Sequence, residues 1–237
     1  MLEKLTETRW FYWLLGLLFF LPIITESPYQ GQDTPLIVGE VLSAPLTGKF
    51  PWLYPLGKII FILILFWAGQ RLFELYVGLS YLAIAFFQNS AQLPGRGLTI
   101  LTGNVILMAI VAIFWLLSPG RETSLPKRGK CPLFLLALLA FWLPVDAQGQ
   151  LSLSVKALAF SDAMLAFCFF TPVILATVML GEKKVSKAAV KVTGFLGILY
   201  GLVNMLTWFW LNVNITLGLL HLPLLLLSGY TYLSQRA

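Results

Sequence analysis

Long apolar runs separated by brief polar punctuation make up most of this chain, and the spacing of that punctuation predicts its elements. Residues 51–91 are the pivotal run, almost unbroken except for Gln70, Arg71 and Glu74 near the middle. One helix over 56–88 would be roughly 50 Å long at 1.5 Å per residue, well beyond a hydrocarbon core of about 30 Å. Two spans, 51–69 and 72–91, each have the right length but leave only Gln70 and Arg71 as the turn. Trp52 and Tyr54 at one end and Trp67 at the other sit where the two aromatic belts of a single span would lie. Two spans are therefore preferred, with one long helix as the alternative.

The same pattern places further spans at 10–24, 98–117, 131–145, 157–180, 192–211 and 213–233. No period-2 alternation is visible, and lipid requires every backbone polar group to be satisfied internally, so helices rather than a barrel are expected. The predicted fold is all-α: a polytopic integral membrane bundle of about eight helices, or seven under the one-helix reading, forming a single membrane domain over 1–237. The first run is short enough to compare with a signal peptide. Glu3 and Glu7 before it, and the lack of an A-x-A-like site after it, favour a retained span. The loop 25–50 carries Pro28, Pro35 and Pro45, with Pro51 and Pro55 just beyond, and these prolines with Gly31, Gly39 and Gly48 predict no long helix. Its apolar middle, 36–46, is suited to the membrane interface.

Composition agrees with the pattern. Hydrophobic residues make up 59% of the chain, charged residues 11%, and the mean hydropathy is +0.85. A water-soluble domain carries about 25% charge. The net charge of +6 does not imply nucleic acid, because the basic residues fall in short loops between spans. Arg121, Lys127, Arg128 and Lys130 form one cluster; Lys183, Lys184, Lys187 and Lys191 form another, with 183, 187 and 191 at helical spacing. By the positive-inside rule both loops and the C-terminus are expected in the cytoplasm, against anionic lipid headgroups. Cys131 and Cys168 are expected at different depths and unlinked.

Few polar groups remain at depth, and each is weighed against a structural role. Arg71 and Glu74 stand three residues apart and can pair on one helix face, either as a mid-span pair that gates a path or as a solvated corner. Asp162, in the outer third of its span, can face a cavity, a cation or a proton path, or can snorkel outward beside Lys156. His221 is the only histidine; it can relay protons or hydrogen-bond a carbonyl freed by Pro223. Asn104, Asn204 and Thr207 suit interhelical hydrogen bonds, with Asn204 retained as a pathway candidate. Gly197 and Gly201 form a small-xxx-small pair permitting close helix approach. Asn214-Ile215-Thr216 matches a glycosylation acceptor but lies against the membrane.

No phosphate-binding loop, dinucleotide fingerprint, nucleophile elbow or HExxH motif is present, and no acidic pair has metal-binding spacing within a span. Enzymatic chemistry is thus disfavoured and no cofactor is indicated. Two functional classes are consistent with the residues. One is a small transporter or channel lined by Asp162, Arg71, Glu74, His221 and Asn204. The other is a non-catalytic membrane subunit or scaffold, whose partners would be further protein subunits or copies of itself.

Overall fold

The structure is a computed structural model of the 237-residue chain, describing residues 2–67, 69–117, 135, 137–138, 141–142, 152, 154–179, 185–211 and 214–235. The first basic cluster, Lys183, Lys184, Cys131 and most of the predicted span 131–145 lie outside the described residues.

The fold is mostly helical. Helices α1 (Leu2–Thr6) and α2 (Arg9–Leu18) open the chain, and α3 (Thr34–Ser43) crosses the proline-rich loop. The pivot divides into α4 (Leu53–Trp67) and α5 (Gln70–Ala83), the latter prolonged by a π-type turn over Ile84–Gln88. After a hairpin of β1 (Ser90–Leu93) and β2 (Gly97–Ile100) comes α6 (Thr102–Leu117). Then follow α7 (Val155–Phe160) and α8 (Phe167–Met179), and finally α9 (Lys187–Leu206), with its π-type extension Thr207–Leu211, and α10 (Ile215–Ser234).

Two long elements, Lys187–Leu211 and Ile215–Ser234, are each long and apolar enough to cross a membrane. The bent pair α7–α8 adds a third if it counts as one span. Among the described residues this is fewer than the eight expected, and the shortfall there has local causes. Helix α2 stops at Leu18 because Pro22 lacks an N–H and disfavours helix at the residue before it; the chain turns extended, and Ile24 bridges to Ile100. The predicted spans 72–91 and 98–117 each lose their inner ends to the hairpin, a two-stranded element the periodicity did not predict. Its turn is set by Pro94-Gly95: the Arg96 N–H donates to the Leu93 carbonyl at 3.2 Å, with Gly95 at φ +73°. The span predicted at 157–180 is broken by an 85° bend between α7 and α8. At about 22 and 24 Å, α4 and α6 fall short of a hydrocarbon core of about 30 Å.

The pivot is settled in favour of two helices. Gly69, extended at ψ 167°, starts α5 after α4 has ended at Trp67. The main core gathers α5, α6, α8 and α9 around Trp115, Tyr81, Phe73 and Phe170, all fully buried. Polar tips inside it are paired: the Trp115 indole N–H donates to Thr193 Oγ1, and Tyr81 Oη meets Thr171 Oγ1, both at 2.9 Å. Helices α9 and α10 pack closely along Gly194, Gly197 and Gly201; a Cβ on Gly197 would overlap Ser228 Oγ.

The molecule is apolar on the outside. Trp13, Phe20, Phe66, Trp67 and Trp210 are each more than 70% exposed. Surfaces of that kind are stable against lipid or another protein and unstable against water. Lys191 departs from the predicted basic stripe: it is buried and holds Glu7 at 3.2 Å, fastening the N-terminal segment to α9, while Lys187 remains exposed.

Candidate functional site

A cavity of about 1640 Å³ opens where the segment after α2, α3, α6 and the α7–α8 bend converge with α9 and α10. Helix α3 forms one wall. Pro35 in its first turn suits a helix start, and Ile37 and Val41, one turn apart, bury against Ile23, Ala91 and Leu93. That packing leaves Val38, Gly39 and Leu42 on the cavity. The Glu40–Arg96 ion pair, 3.6 Å, ties the same helix to the hairpin turn.

The opposite wall carries a line of polar side chains drawn from four helices. Asn89, at the end of the π-type turn, donates to the Ile84 carbonyl at 3.0 Å and accepts from Asn104 Nδ2 at 2.9 Å. The Tyr200 hydroxyl donates to Asn104 Oδ1 at 2.8 Å. Asn204, one turn further along α9, donates to the Tyr200 carbonyl at 2.8 Å and to Cys168 Sγ at 3.3 Å. The first of those bonds fixes the amide orientation, so Asn204 Oδ1 is an acceptor on the cavity wall with no hydrogen-bond donor among the described residues.

Asp162 lines the same cavity, six residues before Cys168. Its carboxylate forms no ion pair among the described residues. The cation nearest in effect is Lys58, a residue that the apolar pattern of α4 concealed. Lys58 is 2% exposed, and its ammonium donates to the Leu158 carbonyl and to Ser161 Oγ, each at 2.6 Å, while lying 5.7 Å from the Trp142 ring centre. This geometry explains why α7 ends where it does; the 85° bend follows at Ala166, after a 3-10 turn over Asp162–Leu165. Were α7 to continue, the Leu158 carbonyl would accept from the N–H of residue 162; instead Ser161 is extended at ψ 144° and the orphan carbonyl is capped by Lys58. Asp162 is thereby turned from a helix interior into a break beside the cavity.

His221 lies across the cavity, 6% exposed, stacked against Phe169 at 4.9 Å and Trp208 at 5.9 Å. Its Nδ1 bonds the Leu217 carbonyl at 2.7 Å, one turn back on its own helix rather than on a neighbour. A carbonyl partner requires the proton on Nδ1, which leaves Nε2 of the neutral ring as an acceptor.

Of the residues singled out in the sequence, Asp162, Asn204 and His221 line this one cavity. Arg71 and Glu74 do not. They pair at 3.6 Å at the start of α5, with Arg71 half exposed and Glu74 buried. Arg71 also donates to the Leu116 carbonyl at 2.9 Å and so caps the C-terminal end of α6. No group of three His, Cys, Asp or Glu side chains able to hold a metal occurs among the described residues. Sequence reasoning passed over Lys58, Asn89 and Tyr200. Only the run of mid-span amides hinted at the line they complete.

Compared with known proteins, the chain matches no family model, no curated sequence and no solved structure.

Proposed function

We propose that this chain is a small membrane transporter or channel whose solute path runs through the cavity between α3 and the α7–α8 bend. The observation that carries the reading is the polar line from Asn89 through Asn104 and Tyr200 to Asn204, with Asp162 on the same cavity, set in a protein whose outside is apolar. Polar groups held at depth cost free energy in lipid, and they collect where a path or a bound solute needs them. An unpaired carboxylate, an open amide oxygen and an imidazole acceptor facing one cavity can replace the hydration of a polar solute group. In this reading α2, α4, α5 and α6 complete a polytopic bundle around the two long helices, with Trp13 on α2 and Trp67 at the end of α4 facing lipid. Both basic loops and the C-terminus are assigned to the cytoplasmic face by the positive-inside rule, with Lys187 against anionic headgroups.

The test is solvent access. Asn204→Cys in a chain with Cys131 and Cys168 replaced by serine is labelled in sealed vesicles of known orientation with a membrane-impermeant maleimide. A transporter or channel predicts reaction from each face, in one sample or in two trapped states. Protection from both faces overturns the reading in favour of the alternative, a non-catalytic subunit that assembles with other membrane proteins.

A further inference from the structure

We propose that the cavity takes a single anionic amphiphile drawn from the bilayer, with its acid group at Lys49 and Lys156 and its apolar body inside. The inference rests on the reading of the cavity as a solute site and names the class of solute. Size comes first. At about 1640 Å³ the space exceeds the 300–1,000 Å³ usual for small-molecule sites, and most of its lining is apolar. A bare ion or a compact polar solute would leave such a volume largely unfilled.

Charge comes second. Lys49 and Lys156 line the cavity, both are exposed, and neither forms an ion pair among the described residues. A cavity-lining residue that is also exposed stands at the opening. Among the described residues Asp162 is the one acidic side chain on the lining, and Lys58 stands behind the wall, bonded to the adjacent Ser161. The opening is therefore cationic, and it attracts acids while disfavouring organic cations.

The character of the rim decides the source. Phe20 is 79% exposed, Phe160 48% and Leu42 43%, and all three line the cavity. A mouth that faced water would not present three large apolar side chains beside its lysines; a mouth at the headgroup level would, with the lysines toward the phosphates and the rings toward the chains. An amphiphile can then enter sideways without leaving its own solvent.

The experiment uses the full chain in uncharged detergent micelles with two probes, phosphatidic acid and phosphatidylcholine carrying the same fluorescent acyl chain. The wild type is expected to prefer the phosphatidic acid probe by about ten- to thirty-fold, the worth of two lysine–phosphate contacts. Lys49→Gln with Lys156→Gln removes most of that preference, and Asp162→Asn keeps it. Gly39→Trp weakens both probes, because Gly39 lines the cavity and a side chain there meets nothing within 4 Å as it enters the space. Equal binding of the two probes, no binding of either, or a preference that survives the double lysine change overturns the proposal. So does full binding by the Gly39→Trp variant, which would place the lipid elsewhere. Lysine-dependent binding together with a site sealed from one face of the membrane would retain the lipid site and refute transport. Access from both faces without the preference would do the reverse.

Discussion

Lys58 is the side chain on which most local structure depends. Its ammonium satisfies the carbonyl left open at Leu158, holds Ser161 and balances Asp162. Lys58→Met keeps the volume and removes all three, leaving the Leu158 carbonyl without its donor and Asp162 without its countercharge. A loss of about 2–4 kcal/mol is expected, read as a lowered Tm in detergent. Adding Asp162→Asn to Lys58→Met is expected to recover part of the loss, since the amide carries no charge to balance. A double variant no more stable than Lys58→Met would show that the two residues are independent. Ser228 makes the opposite case. Its buried hydroxyl has no partner among the described residues and sits where a Cβ on Gly197 would go. Ser228→Ala should therefore be neutral or mildly stabilising. Gly197→Ala should cost about 1–3 kcal/mol by wedging α9 from α10, and Ser228→Ala should relieve only part of it, because the Ser228 Cβ itself stands 2.7 Å from the new methyl.

Among the elements, the roof formed by α3 and the hairpin is the part whose geometry the cavity most depends on. The roof is held by the Ile37 and Val41 contacts, by the Ile24–Ile100 bridge and by the Pro94-Gly95 turn. Gly95 adopts φ +73°, where a Cβ meets the backbone, so Gly95→Val is expected to cost about 1–2 kcal/mol locally. Hydrogen exchange should show the effect as faster exchange over 90–100, with exchange in the buried α8 unchanged. Glu40→Ala should scarcely matter, because a partly exposed ion pair is worth about 1 kcal/mol or less. The end of α7 differs in kind: it is held by a buried ammonium, and its stability should follow Lys58 and not the roof.

For the molecule as a whole, the decisive feature is an apolar exterior around a core with polar content. Trp13, Phe20, Phe66, Trp67 and Trp210 exposed together predict that the protein stays with the membrane pellet after a high-pH carbonate wash, and leaves it only with detergent. Release by carbonate alone would contradict membrane embedding. The two elements Lys187–Leu211 and Ile215–Ser234 suffice to anchor the chain. The remaining helices then owe their place to packing as much as to their own hydropathy.

Helical character, and helices apolar enough to cross a membrane, were readable without the fold, because both follow from composition and from the length of charge-free runs. The sequence also placed the helix pair at the C-terminus and narrowed the pivot to two alternatives. The division of that pivot was legible in Gln70 and Arg71, polar residues inside a run too long for one span. What the sequence left open was decided by contacts between distant segments. A hairpin of four-residue strands carries too few positions to show alternation, and it exists because Ile24 bonds Ile100 and α3 covers it. The end of α7 at Ser161 is held by a lysine more than a hundred residues earlier, and only the fold brings it to the orphan carbonyl. Asp162, Asn204 and His221 were legible one at a time as polar residues at depth. That they face one cavity, and that Arg71 and Glu74 do not, is set by how the helices pack.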